Sequence, residues 1–372
     1  MDQLQAERIN TKQMAVLLIF FTIGDMLLFL PSNMASISHQ DAWISALIGL
    51  VVGVGMAWFI YEFSQCFKGQ NLVQIYRQVL GKWLGTTVSL LYLLAMFNNG
   101  VTQIREIGDL VTTQMMTETP MRAICLLMVI VLVVAIRSGL ESIARTAEAF
   151  LLVFIIMFAA TIILLIPDAK WSKLTPVLEA GTPELIQSAL YFASFPFCEL
   201  FVMWMILPQV TPNKHERRDF ILATTTAGLA IFCIVIISLL VLGSYLTEHQ
   251  MYSTYTLAKK ISVGHFLERV EAIFAVTWLL STYFRMVIYV YAFIKGVAEL
   301  LQLKDYRRLT IPLGMLAYGY ALILAPNVIF FNSTNSYWVT WDLTYVPVIP
   351  TIVYLIHRWK LFRKKRETKY ST

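Results

Sequence analysis

Stretches of about twenty mostly apolar residues recur along the whole chain, and that recurrence leaves it few possible folds. They fall at about 13–31, 42–63, 84–104, 121–136, 147–166, 185–208, 220–245, 267–293, 309–325 and 338–357. In lipid, unpaired backbone groups cannot be left to water, so each stretch is read as a helix. Charged residues make up 14% of the 372 and hydrophobic ones 58%, against roughly 25% and 45–50% in soluble domains. The expectation is an all-α polytopic membrane protein with ten transmembrane helices, forming one integral membrane domain over residues 1–372. The first run is longer than a signal-peptide core and carries Asp25, so it is expected to stay as a span.

Orientation follows from the basic residues. With the N-terminus placed inside, one set of connections holds Arg8, Lys12, Lys68, Arg77, Lys82, Arg137, Arg145, Lys214, Arg217, Arg218, Lys304, Arg307 and Arg308. The basic tail 358–372, "RWKLFRKKRETK" at its core, lies on the same side. The other side carries only Arg122, Lys170, Lys173, Lys259, Lys260 and Arg269. Both termini are therefore expected to be cytoplasmic. The tail reads as a topology anchor at anionic lipid headgroups rather than a nucleic-acid patch.

Two connections carry structure of their own. Residues 71–84, "NLVQIYRQVLGKWL", space Leu72, Ile75, Tyr76, Val79 and Leu80 as one face of an amphipathic interfacial helix. Residues 167–184, "PDAKWSKLTPVLEAGTPE", are rich in proline and glycine and read as a structured loop or lid rather than a span.

Polar groups inside spans are costly and hence candidates for function. Two of them coincide with helix breaks. "TIGDMLLFLP" places Gly24 and Asp25 in span one, with Pro31 closing the apolar stretch. "SFPFCEL" places Pro196 and Glu199 in span six, with Pro208 in the matching position. Spans one and six open two five-span halves, at about 13–166 and 185–357. Matching interruptions in two inverted repeats point to a transporter-type site. Freed N–H groups there attract a carboxylate, and freed carbonyls accept an ammonium, which suits a zwitterionic amino acid. Asp25 reads either as a cap on the second half-helix or as a contact to ligand or coupling cation. Glu199 pairs with a freed donor or stays protonated.

Other intramembrane polar groups are weaker signals. Arg105 and Asp109, spaced i, i+4, are expected to pair at the outer interface, about 32 Å along the helix from Leu84. Glu106 lies between them. Asn98 and Asn99 are deeper and either line a cavity or bind a neighbouring helix. Arg285 needs a partner or a wet cavity; Glu199 is one counter-charge, and snorkelling or pairing elsewhere is the alternative reading. Cys66, Cys125, Cys198 and Cys233 show no metal or disulfide spacing, and the five histidines are scattered. HExxH, GxSxG and Walker A motifs are absent, so neither an enzyme nor a metal or cofactor site is expected.

Several of these stretches together resemble the B subunit of bacterial spore germinant receptors, a branch of the amino acid–polyamine–cation transporter superfamily. They are "TKQMAVLLIFFTIGDMLLFLPSNMA", "DAWIS" at 41–45, "FPFCELFVMWMILP" at 195–208, "ERVEAIF" with Trp278, and "LKDYRRLTIPLG" at 303–314. The resemblance implies a LeuT-type 5+5 inverted repeat with broken helices one and six. It implies a non-enzymatic subunit that binds a small nutrient germinant, usually an amino acid, and triggers germination. It also implies A and C partner subunits in the inner membrane of the spore, and no nucleic acid. By position, the pocket residues are Ile23, Gly24 and Asp25 in helix one and Phe195, Phe197, Cys198 and Glu199 in helix six. Asn98 and Val101 in helix three and Ser281 in helix eight follow from fold geometry. Cys198 stands where the motif carries glycine, which implies a tighter pocket. The competing reading is an amino-acid permease driven by protons or sodium; a structural scaffold would give no reason for the breaks.

Overall fold

The computed structural model describes residues 7–260, 270–325 and 335–370. Each of the ten expected spans coincides with a helical element, apart from 267–269, which lie outside the described residues. In chain order the elements are α1 (Thr11–Ile23), α2 (Met26–Ser38), α3 (Ala42–Cys66), α4 (Leu72–Leu80), α5 (Lys82–Leu110), α6 (Met121–Ser138) and α7 (Leu140–Leu165). The second half comprises α8 (Thr182–Phe197), α9 (Glu216–Leu242), α10 (Ser244–His249), α11 (Ser253–Lys259), α12 (Val270–Leu300), α13 (Thr310–Ile323) and α14 (Asn335–Tyr370). Eight helical stretches among the described residues are long and apolar enough to cross a membrane, one of them (Met26–Cys66) spanning α2 and α3. This is an integral membrane protein.

Both expected breaks are present. α1 stops at Ile23, and Gly24 (φ +39°, ψ −128°) turns the chain into α2. α8 passes through Pro196 and tightens at Cys198 into a 3₁₀ stretch, Cys198–Met205, followed by a second, Leu207–Gln209. α2 corrects one expectation. It does not end at Pro31 but carries that proline inside and runs on to Ser38. Membrane helices tolerate an internal proline.

Close packing of the two halves rests on glycine. A Cβ at Gly53 of α3 would lie 2.2 Å from the Phe197 ring, and one at Gly100 of α5 would lie 2.7 Å from Val290 of α12. α3 packs against α8 and α9, and α5 against α12. α4 is the expected amphipathic helix. Asn71 and Gln74 cap it reciprocally, and Leu72, Val73, Ile75, Tyr76 and Val79 are buried.

Each end of the bundle is fastened by a carboxylate. At the end bearing the termini, the start of the chain bridges to the segment after helix six. Ile9 N donates to Gln209 O at 3.1 Å, and Thr211 N donates to Ile9 O at 2.8 Å. Glu7 there accepts from Leu140 N (3.0 Å), Tyr291 Oη (3.0 Å) and Tyr306 Oη (2.8 Å). Burial, with Glu7 alongside, pushes the Tyr306 phenol well above its usual range. At the opposite end, Asp41 is fully buried and accepts from the N–H groups of Leu178, Glu179 and Ala180 at 2.7–2.9 Å. The expected lid is therefore pinned to the start of helix two.

Candidate functional site

The breaks meet at a buried guanidinium. Arg285, on α12, is 1% exposed. Its Nη1 donates to the Phe21 carbonyl at 2.9 Å, and its Nη2 to the Phe195 carbonyl at 2.9 Å. These carbonyls belong to the last turns before each break. Nη2 also donates to Glu199 Oε2, and Nε lies 3.2 Å from Asp25 Oδ1. Tyr289, one turn further along α12, donates its hydroxyl to the same Glu199 oxygen. The guanidinium carbon lies 5.0 Å from the Phe21 ring centre and 5.7 Å from that of Tyr289. A charge buried this deeply persists because both Nη atoms are hydrogen-bonded and it has counter-charges.

Gly24 makes room for this arrangement. A Cβ there would fall 2.2 Å from Arg285 Cδ. Ser281, one turn before Arg285, donates to the Gly24 carbonyl at 2.7 Å, and Trp278 Nε1 to the Asp25 carbonyl at 3.4 Å. Three successive turns of α12 thus hold the break of helix one.

The capping reading of Asp25 is corrected. Its backbone stands at the N-cap position of α2, but its side chain makes no capping hydrogen bond. The carboxylate turns instead towards Arg285. Arg285 itself pairs with Glu199, as one reading allowed, and with Asp25 as well. Arg105 and Asp109 pair at 2.9 Å, as expected, but not at an exposed interface. Both are 6% exposed, and Arg105 reaches the Ala321 carbonyl of α13 at 3.4 Å.

A cavity of about 450 Å³ opens beside this cluster, in the half of the bundle away from the termini. That volume suits a small organic ligand. Of the residues expected from sequence, Asp25, Asn98, Phe195 and Glu199 line it. Ile23, Gly24, Val101, Phe197, Cys198 and Ser281 are not among its lining residues. Gly24 and Ser281 shape the break behind it. Phe197 fills the groove offered by Gly53 and Gly228, and Ile23, Val101 and Cys198 are packed in the core. Cys198 therefore does not narrow the cavity.

The lining also contains residues outside the expected pocket set, among them Asn99, for which a cavity position was one of two readings. Gln103 and Glu106, one turn apart on α5, are 3% and 6% exposed. Tyr320 of α13 donates to Asn98 Oδ1 at 2.9 Å, and Asn99 donates to Tyr289 at 3.5 Å. Behind the cavity, Asp342 of α14 is 2% exposed and accepts from Ser194 Oγ at 3.0 Å. The available signal was the cost of any intramembrane carboxylate, which applied to Glu106 and Asp342 as much as to Glu199.

Comparison with known proteins settles the lineage. A family model described as "Spore germination protein" matches residues 8–329. The chain belongs to the spore germination protein family. Spore germination protein KB of Bacillus subtilis (strain 168) is 26% identical over 376 residues, covering 98% of both chains. Spore germination protein GerLB of Bacillus cereus is 22% identical over 372 residues, covering 97% of both. Among solved structures, MhsT in complex with L-phenylalanine matches with a TM-score of 0.71 at 12% identity, over 95% of this chain and 90% of that one. Mhp1, a nucleobase-cation-symport-1 family transporter in a closed conformation with bromovinylhydantoin bound, gives 0.62 at 13%, over 95% and 76%. The fold of this family member is thus that of LeuT-type transporters, with its two broken helices on the positions read from sequence.

Proposed function

We propose that this protein is the membrane subunit of a germinant receptor and that it binds a small nutrient, an amino acid in the first instance, in the cavity beside Arg285. The reading rests chiefly on one observation: the cavity lies where the two broken helices meet, lined by Asp25 from one and by Phe195 and Glu199 from the other. Family membership supplies the germination context. The fold neighbours hold small organic molecules, L-phenylalanine in MhsT and bromovinylhydantoin in Mhp1. The working assembly comprises this subunit with A and C subunits in the inner spore membrane. The basic residues favour cytoplasmic termini.

The alternative is a proton- or sodium-coupled permease. Carriers of this architecture coordinate a coupling cation with carbonyls freed at the broken helices. Here Phe21 O and Phe195 O already accept from Arg285, which favours a sensor over a sodium-driven carrier. The test uses spores carrying Gly24→Trp in place of the wild-type gene, exposed to a panel of nutrients. Loss of the response to at least one nutrient is expected, since a Cβ at position 24 already collides with Arg285. Unchanged germination to every nutrient, together with robust uptake of labelled amino acid by wild-type protein in vesicles, would reverse the order of the two readings.

A further inference from the structure

The cavity wall is unevenly satisfied. Asp25 Oδ1, Gln103 Oε1 and Glu106 Oε2 are buried oxygens without a hydrogen-bond partner among the described residues. All three residues line the cavity and are at least nine-tenths buried. Asp25 Oδ1 faces the unmatched donor of the lining, Arg285 Nε, at 3.2 Å, which leaves Gln103 Oε1 and Glu106 Oε2, both acceptors, with neither a hydrogen bond nor an ion pair among the described residues. A buried acceptor left unpaired costs about 1–3 kcal/mol, and more when charged, so these atoms mark where a ligand's donors belong.

The positive side of the site is already committed. All three Arg285 nitrogens face protein oxygens: Phe21 O, Phe195 O and Glu199 for the two Nη atoms, and Asp25 for Nε. The Tyr320 and Asn99 donors are likewise turned to Asn98 and Tyr289. A ligand carboxylate could seek the N-terminus of α2, yet the Asp25 side chain stands at that N-terminus with the same sign of charge. Asp25, Glu106 and Glu199 thus share one lining guanidinium, and a cation in the cavity restores the balance. Of the three, Glu106 is the carboxyl group with no ion pair among the described residues, and Gln103 one turn before it presents a second acceptor on the same helix face.

We infer that the cavity recognises its ligand through an ammonium group held by Glu106 and Gln103, and that the ligand needs no carboxylate. The inference rests on the small-molecule reading above and narrows it to amines, with amino acids binding by their amino end. Aromatic side chains of Phe29, Phe195 and Tyr320 line the rest of the space for an apolar body.

The test uses purified full-length protein in detergent, with binding read by thermal shift and calorimetry. The probes are L-leucine, 3-methylbutylamine, N-acetyl-L-leucine, 4-methylpentanoic acid, glucose and inosine. L-leucine and 3-methylbutylamine are expected to bind, and N-acetyl-L-leucine and 4-methylpentanoic acid to fail. Glu106→Gln keeps the shape and is expected to weaken amine binding at least about tenfold, with a smaller loss for Gln103→Leu. An unchanged gel-filtration profile and melting temperature show that the variants are folded. Binding of the acid, the sugar or the nucleoside without the amine overturns the inference and leaves the pocket reading standing. So does amine binding that is equal in Glu106→Gln and wild type. Failure of every probe with wild-type protein overturns both.

Discussion

Gly24→Ala tests whether the first break is built around Arg285. A Cβ at this position would lie 2.2 Å from Arg285 Cδ and 3.0 Å from its Nη1. The backbone there, at φ +39° and ψ −128°, is one that side-chain-bearing residues rarely adopt. Backbone strain of about 1–3 kcal/mol and overpacking of about 1–3 kcal/mol together give roughly 2–6 kcal/mol. A mid-range loss of about 4 kcal/mol changes the folded-to-unfolded ratio by roughly a thousandfold. Arg285 cannot move aside cheaply, because both Nη atoms donate to carbonyls at 2.9 Å and the side chain is 1% exposed. The assay is reversible unfolding in mixed micelles, run on wild type and on an Arg285→Ala background. In that background the collision is gone and only the backbone strain remains. The cost of Gly24→Ala should therefore fall by about 1–3 kcal/mol. A cost below about 0.5 kcal/mol in wild type, or the same cost in both backgrounds, refutes the reasoning.

Four other substitutions follow, two of them at the same guanidinium. Arg285→Met strands Asp25 and Glu199 as buried carboxylates and should lose about 3–5 kcal/mol in the same unfolding assay. Arg285→Lys keeps the charge but cannot reach two carbonyls with a planar fork, so it should fall between Met and wild type. Asp41→Ala removes the acceptor for three backbone N–H groups. It should cost at least about 2 kcal/mol and speed proteolytic cutting within residues 175–181; an unchanged cutting rate counts against the lid being pinned there. Tyr306 concerns pH. Its phenol titrates above the ordinary value of about 10 when folded, so its contribution is complete below pH 10 and is lost as pH rises beyond it. Tyr306→Phe should flatten that alkaline decline, measured as melting temperature against pH, and a decline of unchanged steepness would place its cause elsewhere.

The spans were legible because the membrane leaves so little choice. Apolar length alone located ten helical elements, and the helix-one break was visible as a glycine followed by a charge. What was misplaced is local. Pro31 read as a terminus because proline lacks an N–H, but five residues into α2 it interrupts little, and the helix continues to Ser38. Arg105 and Asp109 read as interfacial from their height along the helix. Height says nothing about lateral cover, and both are buried, with Arg105 reaching α13 at the Ala321 carbonyl. The short helices α10 and α11 were missed because neither is long enough to show a period; α10 reaches helix two through Glu248, whose carboxylate meets His39 at 2.8 Å.

The site was half legible, and the missing half changes its chemistry. Sequence located the carbonyls freed at two helix breaks and assigned them to a ligand's ammonium. Those carbonyls exist, but a side chain from a third helix fills them. Nothing in the spacing of Gly24 and Pro196 could show this, because it depends on the rotation of α12, which turns Ser281, Arg285 and Tyr289 to one face. The four-residue spacing of Ser281, Arg285 and Tyr289 is the sequence signal of that face. The consequence runs through the whole cavity. With the protein's own guanidinium on the carbonyls, Asp25 and Glu199 are held as its counter-ions. The unmet demand for donors moves one helix over, to Gln103 and Glu106 on α5.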